Sequence, residues 1–272
     1  MNYKLCVFDM DGTVLDSNSS IPKRNIDALK RLARRGVQIV IATGRMDAMV
    51  KNYMRQIGLD LPVISCNGGL IRKLGSDNAI AEFTIQPEKI IKFINICRSK
   101  GAVFHMYSRS TMFTEKIEGR AKFFYEYNKT LPEEDKIDIR LVRDCTEVVL
   151  GGTPIIKGIL CPQDENIYEA VRLEVEKIEG MTLVQSGSGL YDFMRKDVSK
   201  GSAVRCIADN MGISKQEIAA FGDNHNDISM LMEAGLSVAM GNAEEEVKKH
   251  ASFVTLTNDE SGVAYAIEKF IL

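Results

Sequence analysis

Two aspartates separated by one residue follow the first apolar run of the chain, in the hexapeptide FDMDGT at residues 8–13. Two carboxylates this close repel each other, so holding them together is costly unless a cation lies nearby. A hard divalent ion such as Mg²⁺ prefers oxygen ligands and relieves that cost. Gly12 gives the backbone the freedom to turn away from the strand. The pattern predicts metal-assisted chemistry at Asp9 and Asp11, with an ordinary Asp-Gly turn as the alternative.

Two further segments carry groups that suit a phosphate. In VIATGR, residues 40–45, Thr43 and Gly44 end an apolar run, and their hydroxyl and amides can cradle a phosphate where a helix starts. A simple helix cap is the alternative. Lys200 begins a predicted helix, where the helix dipole disfavours a lysine. It is predicted to screen charge between a phosphoryl group and a nucleophile, with a solvated surface lysine as the alternative.

A dense cluster of acidic and amide side chains follows another apolar run, in FGDNHND at residues 221–227. Asp223 is predicted to complete a metal site, and Asp227 to fix the geometry of that site as a partner of its ligands. A helix N-terminus rich in capping residues is the alternative. The chain has no GxxxxGK[ST] segment, which excludes a P-loop ATP hydrolase, and its three histidines lack the spacing of a zinc site.

Strand-like and helix-like segments alternate around these motifs. In the N-terminal part, strands are predicted at residues 4–8, 37–42 and 62–65, and helices at 22–35 and 47–57. In the C-terminal part, helices are predicted at 200–211, 227–234 and 263–270, and strands at 218–221 and 236–240. This alternation predicts an α/β fold with a Rossmann-like, doubly wound parallel sheet. Ligands bind beyond the carboxyl ends of the strands of such a sheet, where Asp9 and Asp11 would lie.

The middle of the chain, residues 84–186, has a different pattern. It is richer in aromatic residues and contains short strand candidates at 103–107, 154–161 and 182–185. An acidic, proline-containing stretch at 131–138 is predicted to be an exposed loop. These features predict an α+β domain inserted into the first one. The first domain would then comprise residues 1–83 and 187–272.

The composition narrows the class of protein. The chain has 272 residues, with 35 basic and 37 acidic side chains and a net charge of -2, which argues against a nucleic-acid or membrane-surface binder. No segment resembles a signal peptide, and the apolar runs are too short to span a bilayer. Six scattered cysteines without a CxxC pair indicate reduced thiols. We therefore expect a cytoplasmic protein.

The four motifs together resemble those of the haloacid dehalogenase-like hydrolases, in the same order and each near a predicted strand. About 34 residues separate Asp9 from Thr43, which leaves no room for an inserted domain, so the insertion lies between Thr43 and Lys200. That arrangement resembles the Cof-type subgroup of sugar-phosphate phosphatases. The segment Asn67-Gly68-Gly69 also resembles the Asn-Gly turn of this subgroup, so Asn67 is a candidate for substrate specificity.

The resemblance implies a role for each matching residue. Asp9 would be the nucleophile and a ligand of Mg²⁺, and it would carry a covalent phosphoaspartate that water hydrolyses. Asp11 would be the general acid and base, with its backbone carbonyl on the metal, and Asp223 would be the third protein ligand. The resemblance also implies a set of groups that hold the phosphate: Thr43, Gly44, Lys200, Asn226 and the backbone of Met10.

The implied reaction is the hydrolysis of small phosphomonoesters, with sugar phosphates as the expected class and the inserted domain acting as a cap that sets specificity. An aspartate at position 11 excludes an ion pump of this superfamily, since the pumps have a threonine there. A phosphomutase resembling the phosphomannomutases and a non-catalytic protein that binds a phosphorylated ligand stay open as alternatives. The physiological substrate and the oligomeric state do not follow from the sequence.

The predicted strand at residues 103–107 suggests candidates for recognition of the substrate within the cap. Alternation along the strand places Phe104 and Met106 on one face, packed against helices such as the one predicted at residues 87–99. His105 and Tyr107 would then face outward and, with Arg109, could contact the non-phosphate part of a substrate. The alternative is that these side chains only decorate an exposed sheet surface.

Overall fold

The structure, a computed structural model, describes residues 3–76, 78–187 and 189–272. Its strands are β1 (Leu5–Asp9), β2 (Gln38–Ala42), β3 (Pro62–Ser65), β4 (Leu70–Lys73), β5 (Ala79–Glu82), β6 (Val103–Tyr107), β7 (Thr111–Thr114), β8 (Asp138–Leu141), β9 (Lys157–Cys161), β10 (Met181–Gly187), β11 (Leu190–Arg195), β12 (Ile218–Gly222), β13 (Leu236–Ala239) and β14 (Phe253–Val254). Its α-helices are α1 (Lys23–Arg34), α2 (Lys51–Ile57), α3 (Pro87–Lys100), α4 (Gly119–Tyr127), α5 (Cys145–Leu150), α6 (Glu165–Val175), α7 (Lys200–Met211), α8 (Ile228–Leu231), α9 (Glu245–Lys249) and α10 (Gly262–Phe270). None of the helices in these ranges has the length and apolar character needed to cross a membrane.

The chain divides into two units. The first comprises Met1–Arg45, Val50–Ala81 and Ser199–Leu272, and its sheet has the strand order β14-β13-β12-β1-β2-β3-β4-β5. The strands from β14 to β3 are parallel to one another, and β4 is antiparallel to β3. The chain adds strands on one side of β1 in its N-terminal part and on the other side in its C-terminal part, so the sheet is doubly wound. The predicted fold class is confirmed.

Strand β1 lies at the centre of this sheet and is buried on both faces. Cys6 and Phe8 pack into one hydrophobic cluster with apolar residues of α1, α2 and α10. Leu5 and Val7 point the other way, into a second cluster with residues of α7 and α8. This two-sided burial is why β1 is a continuous apolar run rather than an alternating one. Asp9, at the end of the run, is the first polar residue that the strand delivers.

The second unit comprises Met46–Met49 and Glu82–Val198, and its sheet has the order β10-β11-β9-β6-β7-β8. Its neighbouring strands are antiparallel except β7 and β8, which are parallel. Phe104, Met106 and Phe193 on one sheet face share a buried cluster with Phe93 of α3. The rings of Phe93 and Phe193 are stacked with centroids 4.4 Å apart. The unit is an α+β domain with its own core.

The boundaries of the two units differ from the sequence prediction at three places, and the smallest difference is at the first junction, which lies after Ala81 and not after residue 83. The predicted first domain resumed at residue 187, but β11 pairs with β10 and β9, so the second unit extends to Val198. Residues 46–49 belong to the second unit, although the predicted helix of the first domain starts at Asp47. The helix itself begins later, at Lys51, after a 3₁₀ turn over Asp47–Val50. The sequence prediction lacks six of the strands: β4, β5, β7, β8, β11 and β14.

Candidate active site

Parallel pairing brings three motifs to one edge of the first sheet. Asp9, the last residue of β1, pairs in register with Ala42 of β2, so Thr43 follows directly beside it. On the other side, Phe8 pairs with Phe221 of β12, and Asp223 follows that strand. The carboxyl ends of the three strands therefore place an aspartate, a threonine and a second aspartate next to one another, at the edge where doubly wound sheets bind ligands.

Lys200 is buried among carboxylates and is not a surface lysine. Its Nζ atom donates to Oδ1 of Asp9 at 2.5 Å and to Oδ1 of Asp227 at 2.6 Å, and its side chain is 1% exposed. Ser199 caps the helix that begins at Lys200 by accepting a hydrogen bond from the Ser202 amide. Burial disfavours the ammonium, but the charges of Asp227 and Asp9 outweigh it and raise the pKa of Lys200.

Three carboxyl groups crowd around this lysine. Asp9, Asp223 and Asp227 each offer an oxygen, and these oxygens lie within 4.8 Å of one another. Burial, reinforced by the charge of Asp227, raises the pKa of the Asp9 carboxyl well above its usual value. The same two causes, in the same order, raise the pKa of Asp223 to about 7. One ammonium cannot neutralise three carboxylates, so the cluster has the charge and the oxygen donors to hold a divalent cation.

Asp227 uses its carboxylate to fix the loop after β12. Its Oδ2 atom accepts hydrogen bonds from the amides of Asp223 and Asn224, both at 3.0 Å, while Oδ1 accepts from Lys200. The packing is tight, because a Cβ atom on Gly222 would lie 2.5 Å from Cβ of Asp227. Asp227 therefore orients Asp223 and Lys200 together, which is the type of contact that holds metal ligands in place.

The turn Met10–Val14 carries Asp11 away from this cluster. The backbone leaves the helical region at Asp11 and at Gly12, whose φ is 78°. A side chain at Gly12 would also collide with Asp223, since a Cβ atom there would lie 2.3 Å from Oδ2. Thr13 then ties the turn to the site by donating its hydroxyl to Oδ1 of Asp223 at 2.7 Å. The turn thus separates the two aspartates of FDMDGT.

Arg45 holds the carboxylate of Asp11, a role that does not follow from the sequence motifs. Its Nε atom donates to Oδ2 of Asp11 at 2.8 Å, and its Nη2 atom pairs with Oδ1. The guanidinium also lies over the ring of Tyr53, 5.4 Å from the centroid. Burial opposes its charge, but the bond to Asp11 outweighs burial and raises the pKa of Arg45. The available signal was its position directly after Thr43 and Gly44.

Three of the predicted phosphate-binding groups, Thr43, Gly44 and Asn226, meet around Asn67. Asn67 is buried and has a φ of 55°. Its backbone N–H donates to the Thr43 carbonyl at 3.0 Å, and its side-chain Oδ1 atom accepts from Nδ2 of Asn226 at 2.9 Å. A Cβ atom on Gly44 would lie 3.1 Å from the same Oδ1 atom. Asn67 therefore belongs to the arrangement of Thr43, Gly44 and Asn226. Met10 is buried, and its carbonyl accepts from the Leu15 amide at 2.9 Å.

The prediction that His105 and Tyr107 face outward is wrong. Alternation along β6 is as expected, but helix α4 covers the opposite sheet face at His105, which is 0% exposed. Its Nδ1 atom lies 2.9 Å from Oγ1 of Thr114, and its Nε2 atom accepts the Ala121 amide at 3.3 Å. Both ring nitrogens are used, and burial lowers the pKa of His105 to about 4. His105 is a structural residue of the second unit.

Tyr107 is also buried, and a charge cluster that the sequence did not reveal lies beside it. Lys157 lies over the Tyr107 ring and pairs with Asp192 at 2.6 Å, and both charged side chains are at most 3% exposed. Ser186 donates to the second oxygen of Asp192 at 2.9 Å. Arg109 pairs with Glu82 and is partly exposed. Nothing in the sequence pattern marks Lys157 and Asp192 as partners, because their strands become neighbours only through the antiparallel β9–β11 pairing.

Comparisons with known proteins give one consistent family. The sequence model of the haloacid dehalogenase-like hydrolases matches residues 6–267. The chain is 30% identical to phosphatase YwpJ of Bacillus subtilis, with 98% of this chain and 100% of that protein covered. It is also 30% identical to the 5-amino-6-(5-phospho-D-ribitylamino)uracil phosphatase YwtE of the same organism, with 98% of each covered. The solved subclass IIB sugar phosphatase BT4131 superposes with a TM-score of 0.82 at 25% identity, with 98% of each chain covered.

Proposed function

The chain belongs to the haloacid dehalogenase-like hydrolases, and from this premise we propose that it is a Mg²⁺-dependent phosphatase of small phosphorylated metabolites. The observation that carries the proposal is the contact between Lys200 and Asp9, inside a buried cluster with Asp223 and Asp227. A carboxylate held by a lysine beside further carboxylates is a nucleophile prepared for an anionic substrate that arrives with a cation.

The residues present fit Mg²⁺. The excess of negative charge in the cluster and its oxygen-only donors are what a hard cation requires. Asp9 and Asp223 would hold the ion with their carboxylates, and Asp11 with its backbone carbonyl. Asp227 is committed to Lys200 and to two amides, so its role is to orient the ligands. When bound, Mg²⁺ neutralises the charge on the phosphoryl oxygens as the nucleophile approaches.

The proposed reaction has two steps on Asp9. A carboxylate oxygen of Asp9 attacks phosphorus, the bond between phosphorus and the ester oxygen breaks, and Asp11 gives a proton to the departing oxygen. Asp11 then takes a proton from water as that water attacks the phosphoaspartate, which releases phosphate and regenerates Asp9. Between the steps the transferred group is held by a fixed set of donors: Lys200, Thr43, Asn226 and the amides of Met10 and Gly44.

We propose sugar phosphates as the substrate class, supported by the similarity to a sugar phosphatase. The relative YwtE is named for a phosphorylated ribitylamino compound, so a sugar-like carbon chain beside the phosphate is common to both names. The second unit, with its separate core, is proposed as the cap that selects among such substrates. A cytoplasmic location, which the scattered cysteines indicated, stays part of the proposal.

The first test compares Asp9→Asn with the wild type on a panel of phosphorylated metabolites and on p-nitrophenyl phosphate. We expect the variant to lose turnover while it stays folded, because an amide is a poor nucleophile toward phosphorus. Asp27→Asn, an exposed change in α1, is the control for folding and purity. More than about one per cent residual turnover in folded Asp9→Asn would remove Asp9 from the role of nucleophile.

Product analysis separates the proposed phosphatase from the two alternatives. A phosphatase releases free phosphate in proportion to substrate consumed. A phosphomutase would instead require a bisphosphate activator and would return an isomeric phosphate ester. A protein that only binds a phosphorylated ligand would show neither product and no phosphoenzyme.

Binding of the metal is testable without turnover. Since Mg²⁺ would bind the folded chain and not the unfolded one, it should raise the melting temperature of the wild type. Asp223→Ala should weaken this rise and raise the Mg²⁺ concentration needed for half-maximal activity. Asp259→Ala removes an exposed carboxylate that binds Ser17, and it should leave this rise in melting temperature unchanged. Full activity after exhaustive chelation would contradict the metal-dependent mechanism.

A further inference from the structure

Three asparagine side chains hold the carbonyl groups of the turn that carries Asp11. Asn242 donates to the Gly12 carbonyl at 2.9 Å, Asn25 to the Val14 carbonyl at 3.2 Å, and Asn258 to the Leu15 carbonyl at 2.9 Å. The three donors come from different parts of the first unit. Asn25 lies in α1, Asn242 follows β13, and Asn258 precedes α10. Side-chain amides thus satisfy these three carbonyl groups, while the Met10 carbonyl accepts from the backbone amide of Leu15.

The orientation of the Asn242 amide is determined by its other contact. The backbone amide of Asn258 donates to Oδ1 of Asn242 at 2.9 Å, and an amide N–H cannot pair with an NH₂ group. The Nδ2 atom of Asn242 is therefore the one that faces the Gly12 carbonyl. Asn258 in turn is buried and bound to Leu15, so this chain of contacts rests on a packed base.

Gly12 is the place in the turn where such a contact has the greatest effect. A glycine at φ 78° has many accessible conformations, so local sterics do not fix the direction in which the backbone continues from Asp11 through Gly12. The carboxylate of Asp11 is held at its outer end by Arg45. The Gly12 carbonyl belongs to the peptide between Gly12 and Thr13, so the contact from Asn242 holds the chain one residue beyond Asp11.

We infer that Asn242 is a positioning residue for Asp11, acting through the Gly12 carbonyl. The inference rests on the proposed role of Asp11 as general acid and base. It assigns to the segment MGNA at residues 240–243 the task of fixing the direction in which Asp11 presents its carboxylate. Asn25 and Asn258 hold later residues of the same turn, so their effect on Asp11 is less direct.

Two variants isolate the contact. Asn242→Asp keeps the shape and the acceptor for the Asn258 amide but cannot donate to Gly12, and Asn242→Ala removes both contacts without adding charge. Asn242 is exposed, so both variants are expected to fold. Asp259→Ala is the matched control. Asp259 also binds the segment after β1, but it does so at Ser17, which is further along the chain from Asp11 than Gly12 is.

The assay compares glycerol 2-phosphate, whose leaving oxygen needs a proton, with p-nitrophenyl phosphate, whose leaving group does not. Both Asn242 variants should lose about three- to tenfold in kcat/KM for glycerol 2-phosphate, the rate equivalent of one lost hydrogen bond, and less than about twofold for p-nitrophenyl phosphate. They should also show a burst of nitrophenolate, because hydrolysis of the phosphoaspartate needs Asp11 as base. Asp259→Ala should show neither effect.

Equal losses on both esters, or none, in the Asn242 variants would overturn the inference. Asp11→Asn, measured in parallel, separates this failure from a failure of the proposed function. If Asp11→Asn discriminates between the two esters and the Asn242 variants do not, only the positioning role is wrong. If Asp11→Asn itself does not discriminate, the assignment of Asp11 is wrong, and the inference is overturned together with it.

Discussion

The Nζ atom of Lys200 lies 2.5 Å from Oδ1 of Asp9, although the two residues are 191 apart in the sequence. Both side chains are buried, and the same ammonium also contacts Asp227. Removing two ions from water is costly, and their attraction repays that cost only while both partners are present. The pair is central to the proposed function, and its loss should also be visible in stability.

Lys200→Met should destabilise the metal-free protein by about 3–5 kcal/mol, because Asp9 and Asp227 would lose the charge that compensates them in a buried site. Denaturant unfolding in the presence of a chelator measures this change. Lys4→Met breaks a pair with Glu217 at a similar distance, but Lys4 is 54% exposed, so it should cost less than about 1 kcal/mol. Equal stabilities for the two variants would contradict the account.

Arg45→Met should lower turnover by about tenfold while changing the melting temperature little, because the pair with Asp11 is partly exposed and such pairs add little stability. Arg45→Lys should not restore full activity, since an ammonium cannot reproduce the two parallel bonds of a guanidinium. Steady-state kinetics of both variants checks this. Arg24→Met, which breaks an exposed pair with Glu268, is the control. Wild-type turnover in Arg45→Met would show that the contact does not serve Asp11.

His105 should make the second unit sensitive to acid. Burial lowers its pKa from 6.5 to about 4, so between these values the unfolded chain binds a proton that the folded chain does not. The contribution of this residue to the free energy of unfolding is full above pH 6.5 and falls by about 3 kcal/mol as the pH approaches 4. As the pH falls from 6.5 towards 4, the free energy of unfolding of the wild type should therefore decrease more than that of His105→Gln. Parallel pH profiles would exclude His105 as the cause.

Lys157→Met should destabilise the second unit by about 3–5 kcal/mol, because Asp192 would remain buried without its cation. The double variant Lys157→Met with Asp192→Leu should recover much of that loss, since no uncompensated charge remains. Unfolding followed by fluorescence of a probe in this unit measures the coupling between the two positions. Additive losses in the double variant would mean that the two residues act independently.

The sequence was sufficient to predict that the motif residues of the first unit lie at one edge of its sheet, but not the contacts inside the second unit. Asp9, Thr43 and Asp223 lie at the carboxyl ends of three strands of a parallel sheet, and the topology of such a sheet brings these strand ends together. The sequence does not reveal the roles of Arg45 and Asn242. Arg45 binds the side chain of Asp11 on a turn, and Asn242 binds the Gly12 carbonyl, and neither contact leaves a periodic signal in the sequence. For His105, alternation along the strand separated the two sheet faces correctly but could not show that α4 covers one of them at that point.

The position of β1 has a consequence for how the chain folds during synthesis. Its neighbour β2 is made early, but its other neighbour, β12, leaves the ribosome only after the whole second unit. Until then β1 is an apolar strand with one unpaired edge, the kind of surface that invites pairing with another chain. Closing contacts such as Thr13 to Asp223, 210 residues apart, is entropically slow. The carboxylate cluster of Asp9, Asp223 and Asp227 is therefore completed only after β12 is made, so a nascent chain that stops before β12 should be aggregation-prone and inactive.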